Sequence, residues 1–262
     1  MNVSNERPTE PASAMTAPAS RRARRPLLAW TALLVLWMAV VQAEAAGIPE
    51  YRTNQIEGWT VLLDARLLVD EKPAADRALE LLKTQLREIV RNVPAPAVTE
   101  LRKVTLWFSP EYPGIQPRAE FHPGAGWLRE NGRNPDMVRG VEFTNVRIFE
   151  SETKRMPNFA LHELAHAYHH RVLPGGFGNP EIKAAFEKAK SVGRYDSVPR
   201  RDASGRTTRE KAYAMTDPQE YFAETTEAFF SRNDFFPFNR DELEQHDPAM
   251  AQLLAKLWGA KP

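Results

Sequence analysis

The chain has no cysteine. Disulfides, thiolate nucleophiles and cysteine-held zinc are excluded together, so any metal here must rest on His, Asp or Glu. An excess of one charge is missing too. Residues 1–46 hold five arginines against three glutamates, leaving 30 basic and 31 acidic residues behind them. A body so close to neutral has no electrostatic grip on nucleic acid. Long apolar runs are also scarce, and the run from Leu27 to Val41 is, at fifteen residues, short for a membrane span. There is no internal repeat.

What stands before and around that run reads as an export signal. Residues 1–20 are rich in Pro, Ala, Ser and Thr, a composition expected to stay disordered. Arg21-Arg22-Ala23-Arg24-Arg25 precede the apolar stretch, and Ala43-Glu44-Ala45 supplies a small-x-small cleavage pattern. The leader is long counted from Met1 and of ordinary length counted from Met15. Cleavage is the expected outcome, with a retained anchor as the alternative. This signal is the one membrane contact the sequence offers, and residues 47–262 are expected to form the folded domain.

Within that domain the stretch that organises the chain is Leu161-His162-Glu163-Leu164-Ala165-His166-Ala167-Tyr168-His169-His170. It contains H-E-x-x-H. Leu161, Leu164, Ala165, Tyr168 and Val172 recur at helical spacing, and His162, His166 and His169 form a second stripe beside them. Pro157-Asn158 opens the helix and Pro174-Gly175-Gly176 closes it. On such a helix His162 and His166 lie one turn apart on one face, placed to share an ion. Solvated histidines on an ordinary amphipathic helix are the bland alternative.

Other elements follow from composition and period. Trp59–Leu63 and Val104–Phe108 read as strands, and Pro73–Val93 as an amphipathic helix stopped by Pro94 and Pro96. The Pro- and Gly-rich connection Pro110–Asp136 carries His122 and Trp127, which either line a cleft or anchor a packed loop. Val141–Phe149 reads as a strand, either packed inside a sheet or free to pair with an extended peptide. Glu181–Val192 is a predicted helix entered through Asn179-Pro180, and Arg194–Glu210 a mobile basic loop turning at Asp202-Ala203-Ser204-Gly205. Asp217-Pro218 caps a helix that contains Phe222, Thr225 and Phe229, Phe235-Phe236-Pro237-Phe238 turns the chain, and Asp247-Pro248 caps a last helix through Trp258.

Two histidines leave zinc one protein ligand short. A third His in the H-E-x-x-H-x-x-G-x-x-H manner is excluded, because the glycine and histidine positions hold His169 and Val172. A Glu from the helix after Asp217 is the better choice. Glu220 and Glu224 are four residues apart, an interval that permits one to bind metal while the other holds a ligand histidine by its far nitrogen. Glu220 also has the spacing of a capping-box partner for Asp217. Spacing alone divides ligand duty evenly between the two.

The motif H-E-x-x-H followed by Tyr213-x6-Glu220-x3-Glu224 resembles the catalytic domain of anthrax lethal factor and similar metallopeptidases, over residues 158–231. The resemblance implies an α+β, zincin-like domain, with a small mixed sheet packed on the metal-binding helix and a helical C-terminal half carrying the third ligand. It implies Zn²⁺ on His162, His166 and Glu220, Glu163 as base, Tyr213 as catalytic helper and Glu224 in support. The longer interval from His166 to Glu220, with residues 194–210 inside it, is a departure that bears on substrate preference. The expected activity is hydrolysis of peptide bonds in peptides or proteins. A catalytically silent zincin-fold binding protein and a zinc hydrolase of a non-peptide amide are the alternatives. Oligomeric state and substrate identity are not written in the sequence.

Overall fold

The computed structural model describes residues 50–261. The expected export signal therefore lies outside the described residues. The chain opens with β1 (Tyr51–Ile56) and β2 (Trp59–Asp64), joined by Glu57-Gly58. Both joining residues have positive φ, 50° and 91°, the two-residue hairpin turn whose twist suits the strands it connects. Short helix α1 (Ala65–Asp70) leads into α2 (Lys72–Asn92), and Pro94 caps a further short helix, α3 (Ala95–Leu101). β3 (Leu106–Phe108), β4 (Ala119–Phe121), α4 (Ala125–Glu130) and β5 (Val141–Phe143) follow. Then come α5 (Phe149–Arg155), α6 (Phe159–Arg171), α7 (Pro180–Val192), β6 (Val198–Arg201), β7 (Thr207–Glu210), α8 (Pro218–Phe230), α9 (Arg240–His246) and α10 (Pro248–Trp258).

This is a mixed α+β domain with a small sheet and a helical C-terminal region, consistent with a generic zincin-like layout. The main sheet has the order β1-β2-β3-β5-β4. β2, β3 and β5 run parallel, and β4 lies antiparallel to β5 at the edge. Strand alternation sends Val61, Leu63, Leu106, Phe108, Val141 and Phe143 to one face, where α2 and α6 cover them. On the other face Trp107 packs with Leu128 and Met137.

Helix α6 departs from the amphipathic expectation because neighbours surround it. Ten of its thirteen residues are buried, including His162, His166 and His169. Asn158 starts it, its side chain accepting the Leu161 N–H, while Val172 falls just beyond its end and is exposed. The helix is therefore a central rod rather than a surface one.

Three further expectations change. The strand read over Val141–Phe149 is only three residues long, because the chain leaves the extended region at Asn145 (φ −88°, ψ 30°). Val146 and Phe149 then turn inward at helical spacing, and the Phe149 ring packs 4.7 Å from Phe159 and 5.9 Å from Phe108. β5 is flanked by β3 and β4, so no peptide can pair with it; β4 is the edge beside α6. The basic segment 194–210 is no loose loop, since β6 and β7 form a hairpin within it. Asp202 Oδ1 accepts the N–H groups of Ser204 and Arg206 to close its turn, and the Arg200 side chain is fastened to Asp234 and Glu210. Finally, the connection 110–136 contains β4 and α4. Its His122 is buried against Glu142, 2.9 Å away, and Trp127 stacks on His122 and Arg133, so neither residue faces the cleft described below.

Candidate metal centre

Two helices build the site. On α6, His162 and His166 lie a turn apart with their Nε2 atoms 3.1 Å from each other. α8 is started by Asp217, whose Oδ1 accepts the N–H groups of Gln219 and Glu220, with Pro218 in the first position. That cap places Glu220 in the first turn. Its carboxylate does not reach back to close a capping box; Oε2 lies 3.0 Å from His162 Nε2 and 3.4 Å from His166 Nε2.

The three atoms form a near-equilateral triangle. Ligands bonded at about 2.0–2.2 Å to a tetrahedral ion stand about 3.3 Å apart, so the spacing of the three atoms is one that a metal ion could bridge. His162, His166 and Glu220 form a buried to half-buried cluster able to hold a metal ion. The Glu220 carboxyl would be pushed up by burial, but the histidine hydrogen bonds overcome this and hold it well below the usual carboxylate range. It is an anion, as a ligand must be.

Behind the triangle the order of roles differs from the expected one. His162 Nδ1 is held by Glu227 Oε1 at 2.7 Å, whereas Glu224 Oε1 stands 3.8 Å away and its Oε2 accepts instead from Asn233 Nδ2. Glu227, not Glu224, is the carboxylate that orients the imidazole. The reason is helical geometry: relative to Glu220, position +7 returns to the same face two turns on, while +4 is rotated past it. That spacing was present in the sequence, but the pairing of Glu220 with Glu224 stops one turn short of it. Burial drives both carboxyls upward, Glu227 to about 7, and Glu224 well above its ordinary value, the Glu227 charge adding to its burial.

Glu163 sits beside His162, pointing into a cleft of about 500 Å³ that Tyr213, Glu220 and His166 also line. Its Oε2 accepts the main-chain N–H of Phe121 at 2.8 Å, so the edge strand fixes this carboxylate in place. Burial raises its pKa, and the charges of His162 and His166 only partly offset that. Tyr213 stands half-exposed at the mouth, its hydroxyl 3.4 Å from Glu220 Oε1. Burial, then the Glu220 charge, pushes its pKa up to about 12, so the phenol keeps its proton. Asp234, which also lines the cleft, binds Arg155 of α5 and Arg200 of the β6–β7 hairpin at 3.0 and 3.1 Å. Nothing in the sequence pairs these three residues; they meet through the chain reversal after α8.

His169 takes no part in the centre. It is fully buried between the rings of Phe177 and Phe222, and burial followed by the His166 charge lowers its pKa to about 4. His170 lies against Phe121 and Phe177.

No family model, curated protein or solved structure matches this chain.

Proposed function

We propose that the protein is an exported zinc-dependent peptidase, working in the manner of the lethal-factor-like metallopeptidases that its motifs resemble. The observation that carries the reading is the triangle of His162 Nε2, His166 Nε2 and Glu220 Oε2, with sides of 3.0–3.4 Å, set beside a positioned carboxylate in an open cleft. Those three side chains would hold the cation. When bound, it acidifies water and polarises a carbonyl.

The rest is done by the chain. Glu163 takes a proton from the attacking water and passes it to the leaving amine as the C–N bond breaks; its raised pKa suits both transfers. Because Phe121 N–H engages only Oε2, Oε1 is left for that proton. Tyr213 keeps its proton and donates a hydrogen bond to the oxygen that gains charge at the attacked carbonyl. Glu227 keeps the His162 ring in one orientation. A peptide is favoured as substrate because β4 is an edge. Arg118 and His122 turn their main-chain groups toward β5, so alternation turns those of Ala119 and Phe121 toward the cleft, where an extended chain can pair with Ala119.

The test is a cleavage profile on a diverse peptide pool with the zinc-loaded protein, with and without chelator. Chelator-sensitive cleavage is expected, and Glu163→Gln should retain metal while losing roughly two to four orders of magnitude in turnover. An inert wild-type protein, or cleavage persisting in the Gln variant, overturns the reading.

A further inference from the structure

Asparagines open several helical segments of this protein, and nearly all of them are spent on that task. Asn134, Asn158, Asn179 and Asn239 each accept N–H groups of the helical turn they precede. Asn145 occupies the same kind of position, ahead of the turn Val146–Ile148, yet its side chain caps nothing. It is only 1% exposed and its Oδ1 has no partner. No hydrogen bond engages its Nδ2 among the described residues either. A buried carboxamide oxygen left without a partner costs free energy unless a ligand or solvent meets it.

Its position says which ligand. Asn145 lines the cleft beyond the end of β4: Thr144 beside it pairs with Arg118, the residue preceding that strand. An extended chain laid along Ala119 runs on toward it. Met156 and Phe159 add apolar side chains to the lining of the same cleft. The cations there are already matched, Arg155 to Glu152 at 2.6 Å and to Asp234, Arg118 to Glu120 at 2.8 Å. Among the described residues that line the cleft, Asn145 is a neutral carboxamide whose oxygen is unspent, a group that discriminates by hydrogen bonding rather than by net charge. A half-turn about the Cβ–Cγ bond exchanges its donor and acceptor.

We propose that Asn145 is the specificity-determining residue of a subsite that takes an uncharged side chain with an apolar stem and a hydrogen-bonding tip, glutamine or asparagine, in preference to leucine or methionine of similar size. The assignment rests on the peptidase reading above. A group built to hydrogen-bond its ligand rejects the analogue that lacks the partner, because the buried head is then left unpaired.

The experiment compares three proteins, wild type, Asn145→Leu and Asn145→Asp, on one randomised peptide pool, with folding and zinc content checked in each. Wild type should favour Gln or Asn over Leu or Met at one substrate position by about tenfold or more. Asn145→Leu should reverse that ratio at the same position, and Asn145→Asp should shift it toward Lys. Equilibrium binding of the paired Gln and Leu peptides to Glu163→Gln, with and without Asn145→Leu, should repeat the ratios without turnover. A Gln-to-Leu ratio unchanged across the three proteins, or a uniform drop on all peptides, overturns the subsite while the peptidase reading stands. A wild-type protein that neither cleaves nor binds any peptide removes both.

Discussion

The two halves of α6 carry the same residue type to opposite ends. In the first half, His162 and His166 meet carboxylates: Glu220 on the cleft side and Glu227 behind. In the second half, His169 and His170 meet phenylalanines. His162 is drawn toward charge, well above its ordinary pKa because Glu220 and Glu227 outweigh its burial, and the second pair is kept from it. Helical spacing put four histidines on one helix, but what packs against each turn decides whether an imidazole becomes a metal donor or a piece of core. Placement on a stripe is therefore a weaker statement than it looks, since it says nothing of the opposing surface.

The comparison can be broken most forcefully at the metal. His166→Ala should lose zinc by several orders of magnitude in affinity, since it removes a direct donor, while His169→Leu should bind zinc as wild type does. Zinc competition with a chromophoric chelator reads both; equal losses would abolish the distinction. A smaller effect separates the carboxylates behind the site. Glu227→Gln should weaken zinc about 10- to 100-fold through loss of the His162 orientation, and Glu224→Gln by clearly less. The reverse order would return the supporting role to Glu224.

The smallest and most diagnostic effect is on acid stability. His169 titrates near 4 in the folded chain and near 6.5 when unfolded, so between these values the unfolded state binds the extra proton. Its contribution is intact above pH 6.5 and is lost as pH falls toward 4, on the order of 3 kcal/mol in all. His169→Leu should flatten the fall of the urea midpoint between pH 7 and 4, and an equally steep fall would show that His169 is not the sensor. The difference between the two proteins isolates this residue from other groups that titrate in the same window.

Local signals proved legible where one residue dictates its own neighbourhood. Asp217-Pro218, Asn179-Pro180 and Asp247-Pro248 open α8, α7 and α10 as their chemistry requires. The apolar period of α2 and the entry of α6 at Asn158 were equally readable. What stayed hidden needed a second surface. The alternation in 141–149 could not show that Phe149 would find the rings of Phe108 and Phe159 and turn helical to reach them. The basic composition of 194–210 concealed a hairpin because its fasteners, Asp234 and the segment around Phe235, lie some thirty residues on. At the site, H-E-x-x-H and the acidic second helix were visible, and the seven-residue interval from Glu220 to Glu227 was there too, but only the folded chain shows both carboxylates on one imidazole.

The main-chain N–H of Phe121 that holds Glu163 belongs to the strand along which a substrate would lie. On the proposed reading, docking and proton transfer would share one mechanical part. A chain that seats well would tug on the same ribbon that aims the carboxylate, and one that seats badly would leave the aim untouched or spoil it. Selectivity in such an arrangement is felt in the rate of bond breaking as much as in the grip.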